Sequence, residues 1–220
     1  MPAPFAFYDL DGTLVSSDVV TQYLWYARHH PGAGMVWRYT RALVRAPRWI
    51  GLELTSRRRF NEAFFREYAG LRLDWMTANA PRLYEEVLSP ATFPGSRKLV
   101  ADDLAAGFRP VLLTGSLDFA IAPLADRFGF GETIANRLEF RGGVATGMLI
   151  EPVLSGPEKV DAIRALCARD HVDPNACRAY SDSMSDVPML EAVGHPRATN
   201  PVKKLRALAA ARNWPVVDLR

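Results

Sequence analysis

Hydrophobic and polar positions along this chain follow two rhythms. Phe5-Ala6-Phe7-Tyr8 is an unbroken apolar run of strand length, which reads as a short strand buried on both faces. From about Val19 to Val87 the spacing is helical instead, in Val19–Ala27, in Phe60–Tyr68 and again from Leu83 to Leu88. Breaks in that block are predicted at Pro31-Gly32, Pro47 and Gly70. From about Phe93 strands and helices alternate. A helix begins at Ser96, its predicted cap, and stops at Gly107; Phe108–Leu113 reads as a buried strand. Thr133–Ile150 reads as a hairpin turning at Gly142-Gly143, and a helix starts within Ser155–Val160. Ala176–Tyr180 is the next strand, a short strand follows around His195–Asn200, and a helix around Val202 to Arg212 closes the chain. The alternation predicts an α/β fold with a doubly wound, Rossmann-like parallel sheet. The core is expected at 1–17 and 89–220, with a helical domain at 18–88 inserted after the first strand.

Composition narrows the class. At 220 residues and 49% apolar content the chain can bury a full core. No run of about 18 apolar residues is present, so no membrane-spanning helix is predicted. Met1-Pro2-Ala3-Pro4 lacks the basic start of a signal peptide, and the expected location is cytoplasmic. Cys167 and Cys177 have no metal-like spacing and read as reduced structural thiols. The four His show no metal spacing either, and His29-His30 are expected in a solvated loop.

Charge is uneven. From Trp25 to Arg59 there are eight Arg and one acid, Glu53, although the whole chain carries only +3. Arg38, Arg41, Arg45 and Arg48 would form one helical stripe, with Val36, Leu43, Val44 and Ile50 around it and Trp25, Trp37 and Trp49 beside it. The ordinary reading is a solvated face. Sharper readings are steering of an anionic substrate or contact with an anionic membrane surface. Pro47, expected to interrupt the helix, weakens the membrane reading. No nucleic-acid motif accompanies the charge, so no nucleic-acid partner is expected.

The chemistry concentrates where strands end. Asp9 and Asp11 follow the first strand, and side chains two apart share a side if the extended geometry persists. Ligands of open parallel sheets bind beyond those ends. Two carboxylates so close repel, and a hard divalent cation such as Mg²⁺ relieves the repulsion through oxygen ligands. Asp9 could then attack phosphorus while Asp11 protonates the leaving oxygen and later activates water. Thr114-Gly115-Ser116 ends the second strand, where a hydroxyl beside a Gly N–H suits phosphoryl oxygens. Lys159 lies in the first turn of a helix, against the dipole preference, and makes sense near carboxylates and a phosphate. Asp182 follows a strand, and Asp186 comes four residues later.

In their order these segments resemble the haloacid dehalogenase superfamily, in particular its phosphoserine phosphatase branch. Asp9-Leu10-Asp11-Gly12-Thr13-Leu14 resembles its first motif, Val111–Ser116 its second, Lys159 its third and Ser181–Asp186 its fourth. The resemblance implies a Mg²⁺-dependent phosphatase acting through an aspartyl-phosphate. Asp9, Asp11 and Lys159 would be catalytic, Thr114, Gly115 and Ser116 would bind substrate, and Asp9, Asp11, Asp182 and Asp186 would serve the metal, Asp11 through its carbonyl. It also implies a mobile helical cap. Asp18 stands where that branch carries a Glu resembling a binder of the substrate's ammonium group. Ser116 replaces a second Gly of the family pattern, Gly12 a Ser, and Ser185 an Asn. The substrate expected is a small phosphomonoester, phosphoserine-like or another phosphorylated amino acid or amino alcohol. A phosphotransferase would use the same site, and a non-enzymatic module binding anionic surfaces through the Arg stripe is the competing class. Neither the substrate nor the oligomeric state is legible.

Overall fold

The fold is built on the most apolar stretch of the chain. The computed structural model describes residues 2–31 and 34–220, without the side chains of Met35, Leu43, Ile50, Glu53 and Leu54. The predicted break at Gly32 and the predicted places of Leu43, Ile50 and Glu53 therefore lie outside the described residues. Strand β1, Phe5–Tyr8, is fully buried. Helices α1 (Val19–His29), α2 (Gly34–Thr55), α3 (Arg57–Phe64) and α4 (Leu73–Leu83) follow, with a 3₁₀ turn at Phe65–Tyr68 and a π turn at Tyr84–Leu88. Then come α5 (Ser96–Ala105), β2 (Arg109–Leu117), α6 (Asp118–Phe128), β3 (Glu132–Arg141), β4 (Val144–Ile150), α7 (Pro157–Arg169) and β5 (Arg178–Ser181). The chain ends with α8 (Val187–Glu191), β6 (His195–Thr199), α9 (Lys203–Ala211) and β7 (Val216–Val217).

The strands form one sheet in the order β4-β3-β2-β1-β5-β6-β7, parallel except for the β3–β4 hairpin. It is the doubly wound α/β architecture that the alternation predicts. β1 lies in the middle and sends alternate side chains to opposite faces. Phe5 and Phe7 join Ile163, Leu166, Met189 and Leu205 of α7, α8 and α9. Ala6 and Tyr8 join Val100, Ile121 and Leu124 of α5 and α6. Both faces are thus covered, as a parallel sheet requires.

Residues 19–88 build a third core around Tyr23, Tyr26, Phe60, Phe64, Phe65, Tyr68 and Met76. It includes Leu117, Ala120, Leu138 and Ala145, so the helical block shares apolar contacts with β2, α6 and the hairpin. Backbone bonds fasten the same junction: Gly70 N–H donates to Ala145 O (2.9 Å), Ala145 N–H to Leu71 O (2.8 Å) and Leu73 N–H to Gly143 O (2.9 Å). Among the described residues no helix is long and apolar enough to cross a membrane.

Several local expectations are corrected. Pro47 lies inside α2, which continues to Thr55 because buried Ala42 and Trp49 anchor it on both sides of the lost N–H. Ser96 is the first residue of α5 rather than its cap; Gly95 is the cap, and the Ser96 hydroxyl donates to Leu14 O (2.7 Å). His29 ends α1, stacked on Trp25 with its Nδ1 2.9 Å from Trp25 O, instead of lying in a loop. The Arg stripe turns inward. Arg41 and Arg45 bind the two carboxylate oxygens of Glu67, which is 0% exposed, at 2.7 and 2.6 Å. Arg38 donates to the carbonyls of Glu67 and Ala69. Arg48 is exposed and has no such partner among the described residues, and of the flanking Trp residues Trp25 and Trp49 are buried while Trp37 is 66% exposed.

The stripe therefore holds α2 to the turn at Phe65–Tyr68. Replacing Arg41 and Arg45 together by Ala leaves Glu67 buried without a cation and should cost about 3 kcal/mol of unfolding free energy in a urea titration. Arg48→Ala should change it by less than about 0.5 kcal/mol. Equal effects of the two changes would remove the structural assignment of the stripe.

Candidate active site

The chain leaves β1 at Asp9, whose N–H donates to Tyr180 O at 3.0 Å and so extends the β1–β5 pairing by one residue. At Gly12 the backbone turns with φ +82°. A Cβ there would stand 2.3 Å from Asp182 Oδ2, so only Gly lets the end of β5 approach this closely. Thr13 ties the two strand ends together. Its hydroxyl lies 3.4 Å from Asp9 Oδ2 and 3.2 Å from Asp182 Oδ1, and the Asp182 N–H reaches Thr13 Oγ1 at 3.1 Å.

The result is a cavity of about 360 Å³ at the C-terminal ends of the parallel strands. Asp9, Asp11, Asp182 and Asp186 line it together with Lys159 and Gly115. Lys159 is buried between two of the acids, with Nζ 2.8 Å from Asp9 Oδ1 and 2.9 Å from Asp186 Oδ2. The Ser181 hydroxyl adds a second bond to Asp186 Oδ2 at 2.8 Å. Burial works against the Lys159 charge, yet Asp186 and Asp9 hold its pKa above the ordinary lysine value. The two cations of the lining, Lys159 and Arg57, do not balance its five acids, Asp9, Asp11, Asp18, Asp182 and Asp186. Burial, reinforced by Asp186, raises the pKa of Asp9 despite Lys159. Burial pushes Asp11 up to about 7 against the opposing bond from Ser116, and burial with the Asp9 and Asp186 charges pushes Asp182 up to about 7.

Not every expected site residue reaches the cavity. Asp9, Asp11, Gly115, Lys159, Asp182, Asp186 and Asp18 line it; Thr114 and Ser116 do not. β2 runs on through both residues, so they point into the packed interior and are fully buried. Thr114 Oγ1 accepts from the Ser116 N–H (3.1 Å), and the Ser116 hydroxyl donates to Asp11 Oδ2 (2.6 Å). Neither residue is among those that line the cavity, although Gly115 between them is. Asp18 stands at the cavity rim and also caps α1, accepting from Thr21 N (2.7 Å) and Thr21 Oγ1 (2.8 Å). Asp186 spends Oδ2 on Lys159 and Ser181, so its visible task is to hold the lysine. Asp9, Asp11, Asp182 and Asp186, the four residues expected to serve a metal, all lie on this one cavity.

Two residues in and around the site were not legible beforehand. Arg57, at the start of α3, lines the cavity from the helical block, and its charge favours the ionised forms of Asp9 and Asp11. It stood outside the periodic Arg stripe, in Arg57-Arg58-Arg59, where its neighbour Arg58 pairs with Glu62, Glu151 and Glu158. Gln22 is buried within α1 and bonds to both Asp11 and Ser116. A polar residue on an apolar helix face was the available signal.

Comparison with known proteins agrees with this geometry. A family model described as haloacid dehalogenase-like hydrolase matches residues 6–191. A protein of Streptomyces azureus named for inhibition of morphological differentiation is 30% identical over 225 residues, 99% of this chain and 79% of its own. A phosphoserine phosphatase of Mycobacterium tuberculosis is 35% identical over 145 residues, 66% of this chain and 47% of its own. The chain thus spans about half the length of the mycobacterial relatives it matches. Among solved structures, a Bordetella pertussis protein of unknown function superposes with a TM-score of 0.87 at 28% identity, over 100% of both chains.

The crowding of acids has a measurable signature. Asp9, Asp11 and Asp182 keep protons in the fold at pH values where the unfolded chain has released them, so the folded state binds more protons and stability falls as pH rises. The loss starts near the ordinary carboxylate pKa of about 4 and levels off above about 7. Thermal unfolding in EDTA from pH 4 to 8 should show this fall, and Asp182→Asn should flatten it. An unchanged slope in that variant would mean that Asp182 ionises freely.

Proposed function

This chain belongs to the haloacid dehalogenase-like hydrolase family, and from that membership and the cavity we propose that it hydrolyses a small phosphomonoester through an aspartyl-phosphate on Asp9. The observation that carries the reading is the position of Asp9 at the end of the central strand, bonded to Lys159 and two residues before a second acid of the same cavity. The helical block at 18–88 is read as a cap over a core formed by 1–17 and 89–220.

The donor set suits Mg²⁺. Asp9 and Asp182 approach each other across a Gly12 turn that a Cβ would block, and the acids there exceed their cations. A hard ion that draws on two carboxylates, a backbone carbonyl, waters and a phosphate needs no all-protein cage. Asp9, Asp182 and the Asp11 carbonyl would hold it; bound there, Mg²⁺ neutralises the carboxylates and polarises phosphoryl oxygens.

The protein's own groups divide the remaining work. Lys159 supplies positive charge beside the transferring phosphoryl group, and Asp186 fixes its position. An Asp9 oxygen attacks phosphorus, and the bond to the leaving oxygen breaks as Asp11 gives that oxygen its proton. Burial suits Asp11 to this, since a carboxyl raised to about 7 still holds a proton near neutrality. Asp11 then takes a proton from water, whose oxygen attacks the aspartyl-phosphate, releasing phosphate and restoring Asp9.

Selection falls to the rim. Asp18 and Arg57 bring opposite charges to one cavity, and the Ser17 hydroxyl on its wall is buried without a hydrogen-bond partner. An ammonium and a carboxylate on the substrate would meet both charges, as in phosphoserine, the substrate named for the M. tuberculosis relative.

Asp9→Asn should abolish turnover while the protein stays folded, and the wild type should trap beryllofluoride with Mg²⁺ at Asp9; normal turnover by the variant would end the proposal. Asp18→Asn keeps the helix cap but removes the charge. It should lower kcat/KM for phosphoserine and phosphoethanolamine by about 10-fold or more and spare glycerol phosphate. Arg57→Ala should penalise phosphoserine more than phosphoethanolamine, which has no carboxylate. Uniform losses across the three substrates would remove the charge-matching account of specificity.

A further inference from the structure

Asp11 is held by two side chains that never touch the cavity. The Ser116 hydroxyl donates to Asp11 Oδ2 at 2.6 Å, Gln22 Nε2 lies 3.3 Å from Asp11 Oδ1, and the same amide lies 3.2 Å from Ser116 Oγ. The three groups close a ring. Ser116 is 0% and Gln22 1% exposed, whereas Asp11 lines the cavity. Burying an amide and a hydroxyl is unfavourable unless their hydrogen bonds are made, and here they are made to the acid that faces the reacting group. Ser116 comes from the sheet and Gln22 from α1 of the helical block, so Asp11 is oriented from both parts of the fold.

We propose that Ser116 and Gln22 are positioning residues that clamp the Asp11 carboxyl for proton transfer. The inference rests on the reading of Asp11 as the acid and base of phosphomonoester hydrolysis. Each donor occupies one lone pair on a different oxygen, which fixes rotation of the carboxyl group and confines a carried proton to the lone pairs that remain. The Ser116 N–H bond to Thr114 Oγ1 holds the serine backbone in turn, giving Thr114 a place in the same support. Ser116 is also one of the positions where the chain departs from the resembled motif, so the clamp is a property of this sequence. A buried ring built only for packing would not need to end on a cavity-lining carboxylate.

The test separates orientation of the acid from packing. With Mg²⁺ present, Ser116→Ala and Gln22→Ala should each lower kcat/KM for O-phosphoserine by about 10-fold, the scale of one hydrogen bond to a charged group. For p-nitrophenyl phosphate, whose leaving oxygen needs little protonation, the loss should be much smaller. Ser116→Thr, which keeps the hydroxyl, should restore most of the rate. In an Asp11→Asn background the same Ala changes should cost almost nothing further, because the group they orient is gone. Crystals of Ser116→Ala should show the Asp11 carboxyl rotated, a readout that needs no turnover. Normal turnover by Asp11→Asn itself would overturn the acid–base reading and the clamp with it. If Asp11→Asn is slow, the clamp alone is overturned by equal losses in both backgrounds, by equal losses on both substrates, or by an unmoved carboxyl in the crystals.

Discussion

Four acids around one buried lysine, two of them buried and two partly so, are the constraint on which the rest of the structure depends. Water would screen such a cluster cheaply, but the ends of β1 and β5 lie under the helical block, where charge is expensive. Lys159 offsets part of the repulsion from between Asp9 and Asp186, and the helix that carries it must start close to the sheet. Gly12 serves the same end by letting Asp182 come near Asp9. A site that stores this much negative charge is prepared for a cation and a phosphoryl group.

What the sequence made legible follows from how closely the chemistry is tied to the backbone. An apolar run ending in Asp9-Leu10-Asp11-Gly12 can hardly be anything but a buried strand and a sharp turn, and the remaining motifs lie at the ends of β2 and β5 or at the start of α7. Strand ends of a parallel sheet converge, so motifs far apart in sequence meet without any further information. Gly142-Gly143 marked the hairpin for the same local reason, since both residues have positive φ.

The rest was hidden because it depends on which side of an element faces inward. The second strand was expected to end before Thr114 and Ser116; β2 continues to Leu117, and their hydroxyls meet the Ser116 N–H and Asp11. The Arg stripe was periodic and visible, but its partner Glu67 lies in another element, and periodicity carries no information about a buried acid 22 residues away from Arg45. Arg57 broke the period and reached the cavity. A run of Arg does not reveal which member faces a ligand until α3 is docked on the sheet.

The docking itself limits how the two parts can cooperate. The backbone bonds from Gly70, Leu71 and Leu73 to β4 fix one flank of the helical block to the hairpin, while Asp18, Gln22 and Arg57 approach the cavity from other parts of the block. Motion that opens the cavity must therefore either break those bonds or carry the hairpin along. Breaking them also exposes Leu138 and Ala145, which are buried in the block's own core. Helices α1 and α3, which bring Gln22 to Asp11 and Arg57 to the cavity, are locked to that flank in turn, since Tyr23, Tyr26 and Phe64 pack with Tyr68 in the same core. The orientation of Asp11 and the placement of Arg57 therefore depend on the same packed block, and a change that loosens its core reaches both.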